Sequence, residues 1–288
     1  MLTLTTIEAL RSALAERRSQ GATVGLVPTM GYLHSGHQGL CRAAAGECDE
    51  VVTTIFVNPL QFAEGEDLDR YPRDPDGDAL KAAEAGTTIL FTPEPTEMYP
   101  EGPGAVATSV TVAELAARME GAARPTHFAG VCTVVAKLFN IVGPCRAYFG
   151  EKDFQQLAIV TRMAEDLSFP VTVMGCPTAR EPDGLAMSSR NVYLSEQERA
   201  TAPILQRALL HGAQLVGAGM ADTAEVLASM SAMIDDAALG ELDYLEVVDP
   251  RSLVPVERIE GPVRLLGAVR FGAVRLIDNV AASRPGDV

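Results

Sequence analysis

Histidine and lysine are scarce in this 288-residue chain, and several of them fall where a strand hands over to a helix. His34 and His37 lie in Pro28-Thr-Met-Gly-Tyr-Leu-His-Ser-Gly-His37, between an apolar run at residues 24–27 and a helical pattern at residues 40–45. In an open parallel sheet, ligands bind in the crevice beyond the strand ends. The N–H groups that open the next helix favour anions there. Two imidazoles three positions apart can donate hydrogen bonds to phosphate oxygens, and Gly36 removes a side chain that would block close approach. Lys152, one of only three lysines, sits in Phe149-Gly-Glu-Lys-Asp153, again after a strand signal and before a helical pattern. It reads as a point charge for a phosphate or as a solvated surface lysine.

Two further groups carry polar chemistry. Ala186-Met-Ser-Ser-Arg-Asn191 combines the hydroxyls of Ser188 and Ser189 with the guanidinium of Arg190, which can fork onto phosphate oxygens. Asn58, Pro59 and Gln61 follow the strongest strand signal, and neutral amides suit a small polar substrate. Arg124-Pro-Thr-His-Phe128 and Tyr71-Pro-Arg73-Asp74 are polar clusters that read equally well as capped turns. A zinc site at the histidine pair would want more ligands and usually a HExxH helix, whereas Ser35 and Gly36 stand between these two. Metal ligands are left unassigned. The chain has no GxxxxGK[ST] phosphate loop and no GxGxxG after a strand. It also lacks a GxSxG nucleophile elbow.

The elements that must position these groups come from periodicity. Residues 51–57 are apolar and β-branched, the mark of a strand buried on both faces. Strand signals at 24–27, 88–91, 147–149 and 171–174 alternate with helical patterns at 40–45, 79–85 and 154–167. That alternation predicts a parallel sheet with helices on both faces. At the N-terminus, Thr5 and Glu8 read as a capping box for a helix with Ile7, Leu10 and Leu14 on one face. Residues 92–104, rich in Pro and Gly, form either a surface connection or a lid. After residue 178 the pattern changes to helices at 196–216 and 223–237 and then strands at 244–248, 264–270 and 273–277, with Gly272 in a hairpin turn. The reading is a domain at 1–178 and a smaller α+β domain at 179–288.

Composition narrows the function class. The net charge of −15 disfavours nucleic acid and anionic membranes as partners. Five cysteines with no CxxC pair point away from a disulfide framework and toward a reducing compartment. The first residues lack a basic n-region, so no export signal is expected and the location is read as cytoplasmic. The apolar stretch at 130–142 is interrupted by Lys137 and Asn140 and is too short to span a bilayer.

The ordered set PTMGYLHSGH, TIFVNPLQF, EDLDRYPRDPDGD, RPTHFAGVCTVVAKLFNIVGP, YFGEKDFQQL and REPDGLAMSSRNVYLS resembles the pantoate–β-alanine ligase family (pantothenate synthetases). The likeness is specific over residues 25–194 and weaker onward to Ile277-Asp-Asn279. Its histidine and Met-Ser-Ser-Arg elements are similar to the two signatures of the nucleotidylyltransferase superfamily. The resemblance implies a Rossmann-like N-terminal domain, a C-terminal lid domain and a homodimer. It implies that ATP and pantoate form pantoyl adenylate and pyrophosphate, and that β-alanine then displaces AMP to give pantothenate. Mg2+ would accompany ATP.

By the same resemblance, ATP would be held by Met30, Gly31, Tyr32, Leu33, His34, Ser35, Gly36 and His37 in the first motif. Gly150, Glu151, Lys152 and Asp153 would bind it as well, with Ala179 through its backbone, and Met187, Ser188, Ser189 and Arg190. His37 would be the proton donor, with His34, Lys152 and Arg190 beside it in catalysis. Gln61 and Gln156 would hold pantoate with Asn58 in support, and Gln61 would also border β-alanine. The family pattern has Ala, Glu, Leu and Val where this chain has Tyr32, Ser35, Gln38 and Ala179. Two other readings compete. One is an adenylyltransferase of the same superfamily with a phosphate or nucleotide acceptor, against which Asn58-Pro-Leu-Gln61 and Gln155-Gln156 speak. The other is a nucleotide-binding module without turnover, against which the retained charged residues speak.

Overall fold

The computed structural model describes residues 1–286 apart from Glu64 and Asp67. The chain forms two compact units, Met1–Gly150 with Gln155–Pro177, and Glu151–Phe154 with Thr178–Val288. Residues 151–154, which the sequence reading grouped with the first part, thus belong with the second unit.

The first unit is built on six parallel strands: β1 (Leu2–Leu4), β2 (Val24–Thr29), β3 (Glu50–Ile55), β4 (Ile89–Phe91), β5 (Cys145–Gly150) and β6 (Val171–Cys176). Their order is β1-β4-β3-β2-β5-β6, and every neighbouring pair is parallel. Helices α1 (Ile7–Ser19), α2 (Ser35–Glu47), α3 (Pro75–Glu84), α4 (Pro95–Met98), α5 (Glu120–Ala123), α6 (His127–Val142) and α7 (Phe154–Asp166) connect them. From β2 the chain builds outward through β3 to β4, while β5 lies on the other side of β2. The winding therefore reverses at β2 and β5, and their carboxyl ends flank the crevice where such sheets bind ligands.

Burial explains the sequence patterns. All of β3 except Ile55 is buried, which is why it carries no solvent-facing residue. Helix α6 buries Phe128, Val131, Val135, Leu138, Phe139 and Val142 and turns Asn140 to solvent. The interruptions at Lys137 and Asn140 thus mark its less buried side, and each fully buried large side chain of the inner side contributes about 1.5–3 kcal/mol. Among the described residues no helix is long and apolar enough to cross a membrane.

Two expectations at the N-terminus need correction. Residues 2–4 form a strand rather than leading straight into a helix, because they pair with β4. Helix α1 is capped by Thr6, not by a Thr5–Glu8 box: Thr6 is extended (φ −116°, ψ 148°) and its hydroxyl oxygen accepts from Ala9 N at 3.2 Å. The Pro/Gly-rich stretch is also more structured than a plain loop. It contains α4 and buries Met98 and Tyr99.

In the second unit, α8 (Glu196–Thr201), α9 (Ile204–Gly217) and α10 (Thr223–Asp235) precede the antiparallel sheet β7 (Glu241–Val248), β8 (Val263–Phe271), β9 (Val274–Ala282), in the order β7-β8-β9. The single helix expected at 196–216 is two, separated at Ala202 and Pro203, because proline lacks the N–H that would continue the ladder. Phe271 pairs with Val274 across a two-residue turn whose Gly272 has φ +55°, so the hairpin forms where expected.

Candidate functional site

The loop after β2 has an unusual backbone. Gly31 (φ +87°) and Tyr32 (φ +50°) are both left-handed. A Cβ on Gly31 would lie 3.0 Å from Asp78 Oδ2 and 3.0 Å from Ile55 Cγ2, so both conformation and space require glycine. Tyr32 adopts that region at a cost of about 1–2 kcal/mol. The compensation comes from Asp78, near the start of α3, which is 1% exposed. Its Oδ2 accepts from Tyr32 N at 2.8 Å and its Oδ1 from Leu33 N at 2.6 Å. Leu33 is buried by this clamp, and Lys81 Nζ stands 6.0 Å from the Tyr32 ring. Gln38 donates to Lys81 O at 3.1 Å, a second tie between α2 and α3.

The two histidines then cap α2 reciprocally. His34 is the N-cap and its Nδ1 accepts from Gly36 N at 3.1 Å, while His37 Nδ1 accepts from His34 N at 3.3 Å. This is a capping box with imidazoles in place of the usual hydroxyl and carboxylate. A backbone N–H pointing at Nδ1 requires a lone pair there, so the proton of each neutral ring sits on Nε2. The ring centroids are 4.1 Å apart. The motif therefore carries two Nε2–H donors side by side, at the carboxyl end of a central strand and the opening of a helix. Ser35 is exposed and Gly36 half-buried beside them.

Met30 and Gln61 come together: Gln61 Nε2 donates to Met30 Sδ at 2.9 Å. Gln61 closes the short turn Pro59–Gln61 that Asn58 caps. Asn58 is 1% exposed, and both ends of its amide are engaged within the protein. Nδ2 donates to Gln61 Oε1 (3.2 Å) and Gly130 O (3.1 Å), and Oδ1 accepts from Leu60 N (3.4 Å) and Tyr99 OH (2.8 Å). Asn58 therefore aims Gln61 rather than contacting a ligand itself. Burial raises the Tyr99 phenol well above its ordinary value, keeping it a donor to Asn58. At Gly130 any Cβ would collide with Leu60 O and Gln61 Cα, so only glycine lets α6 approach this turn.

Arg124 and His127 hold the same turn by its backbone. His127 Nδ1 lies 3.0 Å from Gln61 O, and since a carbonyl only accepts, Nδ1 carries the proton. Arg124 donates to Gln61 O (3.2 Å) and to both oxygens of Glu66 (2.8 and 2.6 Å). That fork holds the Glu66 carboxyl below its ordinary range. Gln155 and Gln156 part company. Gln155 is 3% exposed and ties Leu115 O, Arg118 O and Glu120 N, whereas Gln156 on α7 is half-buried with no side-chain hydrogen bond among the described residues. Gly150 ends β5.

The second unit carries the remaining candidates. Glu151–Asp153 is a single 3-10 turn, in which Lys152 Nζ lies 3.2 Å from Asp153 Oδ1. Arg264 on β8 reaches Glu151 Oε2 at 3.0 Å and lies 4.1 Å over the Phe154 ring. The loop at 179–191 closes on itself: Ala179 O accepts from Met187 N at 2.9 Å, and Asn191 Nδ2 donates to Ala186 O at 3.0 Å. Ser188 Oγ accepts from Arg190 N at 3.3 Å and starts the turn Ser189–Tyr193. Among the described residues, no group of three or more His, Cys, Asp or Glu is placed to hold a metal ion.

The sequence assigns no role to Asp78, Gly130, Arg264 or Asn279, although Asn279 ends the quoted Ile277-Asp-Asn279. Asp78 and Gly130 lie within the quoted motifs EDLDRYPRDPDGD and RPTHFAGVCTVVAKLFNIVGP, which is the one signal that could have found them.

Known proteins share both the sequence and this architecture. The family model described as pantoate-beta-alanine ligase matches residues 2–281. The pantothenate synthetase of Rhizobium meliloti (strain 1021) is 52% identical over 280 residues, 97% of this chain and 95% of that protein. The crystal structure of pantothenate synthetase from Thermus thermophilus is 50% identical with a TM-score of 0.91, covering 97% of this chain and 99% of that one. The pantoate-beta-alanine ligase of Francisella tularensis, complexed with beta-gamma ATP and beta-alanine, is 31% identical with a TM-score of 0.77 over 97% of each chain.

Proposed function

The chain belongs to the pantoate–β-alanine ligase family, and from that premise we propose how its own residues carry out the reaction. It is an ATP-dependent ligase that forms the carbon–nitrogen bond between pantoate and β-alanine. In the first step a pantoate carboxylate oxygen bonds to the α-phosphorus of ATP while the bond to pyrophosphate breaks. In the second, the amine of β-alanine bonds to the acyl carbon, AMP leaves, and the amine proton passes to solvent.

Both steps move negative charge on phosphate oxygens, and fixed donors aimed at that charge are the main catalytic lever. His34 and His37 supply the Nε2–H donors, with His37 donating to the reacting phosphate. Met30, Gly31, Tyr32, Leu33, Ser35 and Gly36 shape the nucleotide site around them. Lys152, Ser188, Ser189 and Arg190 clamp the polyphosphate, and Gly150, Glu151, Asp153, Ala179 and Met187 frame it. Gln61 and Gln156 hold pantoate, Gln61 borders β-alanine, and Asn58 aims Gln61. Holding two substrates in line then lowers the barrier further.

Mg2+ would travel with ATP. It is bound in such sites largely through phosphate oxygens and water, which suits a chain whose described residues offer no acidic cluster. It would neutralise the leaving pyrophosphate. A homodimer in the cytoplasm is the proposed state.

The observation that supports this reading most is the reciprocal His34/His37 cap, because it presets two Nε2–H donors at the sheet's reversal point. The test is ATP–pyrophosphate exchange with D-pantoate. Exchange without β-alanine, followed by AMP and pantothenate when the amine is added, is expected. Exchange that requires β-alanine would rule out a free-standing adenylate step.

A further inference from the structure

Two adjacent side chains on β9, Asp278 and Asn279, are nearly sealed from solvent at 4% and 3% exposure, and besides their bonds within the sheet, where Asp278 Oδ1 accepts from Asn279 N at 2.8 Å, both reach out to loops. Asn279 Nδ2 donates to Glu151 O at 2.8 Å and to Lys152 O at 2.9 Å. Its Oδ1 accepts from Arg264 Nε at 2.6 Å, and the same guanidinium reaches the Glu151 carboxylate. Asp278 turns the other way. Its two oxygens take the fork of Arg180 at 2.6 and 2.9 Å, and Arg180 Nη1 also donates to Gly184 O. Arg180 in turn bridges Ala186, just before Met187 to Arg190. One dipeptide thus holds both the turn that carries Lys152 and the loop that leads to Arg190.

We propose that Asn279, backed by Arg264, is a positioning residue for Lys152. The argument is geometric. The Lys152 side chain swings on a short turn, and an ammonium on four rotatable bonds is directed only as well as its backbone is fixed. Asn279 grips the carbonyls on both sides of the Lys152 N–Cα bond, so neither flanking peptide can rotate. Arg264 restrains the turn further, at the Glu151 carboxylate and the Phe154 ring. Asn279 need not touch a ligand: both of its Nδ2 hydrogens are committed to these two carbonyls.

The inference rests on the clamp role given to Lys152 above, and a double-mutant cycle separates the two. The readout is pantoate-dependent ATP–pyrophosphate exchange, with KM for ATP and for β-alanine measured alongside. Lys152→Ala is expected to lose about 10²–10³-fold in exchange, the scale for removing one donor from developing charge. Asn279→Ala is expected to lose roughly 10–10²-fold, the scale for a displacement of about 1 Å. Its effect should fall on kcat and on KM for ATP, leaving KM for β-alanine unchanged. In the Lys152→Ala background the same Asn279→Ala change should cost less than about threefold, because no ammonium is left to misplace. Losses that simply add would overturn the positioning role while leaving the clamp role standing. Near-normal exchange in Lys152→Ala would overturn the clamp role itself, and the inference with it. Should Asn279→Ala fail to fold, Arg264→Lys replaces it in the cycle. That change keeps a cation beside Glu151 but removes the Nε donor to Asn279, and full exchange in it would also overturn the proposal.

Discussion

Asp78→Asn puts the loop argument at risk. The carboxylate is 1% exposed and accepts from Tyr32 N at 2.8 Å and Leu33 N at 2.6 Å. An asparagine of the same shape keeps one acceptor and turns an NH2 toward the other N–H. The change removes one charge-assisted hydrogen bond worth about 1.5–3 kcal/mol and strands a buried donor at about 1–3 kcal/mol. The loss is limited because the loop can yield: Tyr32, at φ +50°, holds about 1–2 kcal/mol of backbone strain that relaxation would release. A net cost of about 2–4 kcal/mol follows from these terms. At roughly 2 °C per kcal/mol for a chain of this size, the melting temperature should fall by about 4–8 °C. The kinetic effect should be larger, since His34 and His37 follow directly, and a displacement of about 1 Å costs up to about 10²-fold in the adenylation step. The assay is pyrophosphate exchange beside thermal unfolding, with Asp76→Asn as control. Asp76 is exposed on the same helix, and its change should stay within about 0.5 kcal/mol. Exchange within twofold of the parent in Asp78→Asn, with an unchanged melting temperature, would show that the clamp does not hold the loop.

Other perturbations test the remaining parts. His34→Asn should leave stability within about 0.5 kcal/mol, because asparagine is as good an N-cap as any residue, yet lower turnover by about 10²-fold through loss of the Nε2–H donor; normal turnover would remove His34 from the chemistry. Gly130→Ala drives a methyl into Leu60 O, so a destabilisation of about 1–3 kcal/mol and a raised KM for pantoate are expected; a change in stability alone would detach this turn from pantoate. Glu66 has its folded pKa lowered below the ordinary 4.5 by Arg124. Its contribution is therefore present above pH 4.5 and lost as pH falls through the lowered folded value. Thermal unfolding of Glu66→Gln should lie below the parent at about pH 7 and converge on it in acid, and parallel curves from about pH 7 to about pH 3 would refute the pairing.

Much of this molecule is determined by short stretches of its own sequence. The run at 51–57 announces its strand, Glu50–Ile55, through β-branched and apolar residue types alone, because a strand covered on both faces selects them whatever the neighbours are. Gly272 marked the β8–β9 turn because glycine tolerates the positive φ found there, whereas the stretch at 130–142 was legible only as an apolar run and not as the helix α6. The ordered motifs, read together, were enough to reach the family. Other features were decided only in three dimensions. Strand β1 exists because β4 lies 87 positions away in register, Leu2 against Ile89, and three residues carry no periodicity of their own. The histidines suggested donors for phosphate by type and spacing, but their use as each other's helix caps was not legible, since imidazole is not among the residues that ordinarily cap. Asp78 is 46 positions from Tyr32 and Asn279 is 127 from Lys152. A side chain that grips backbone atoms leaves no mark on the residue it grips, because nearly every residue has the same N–H and C=O. The groups that could touch a substrate were therefore written in residue type and spacing, while the groups that hold them still were set by the packing of distant segments.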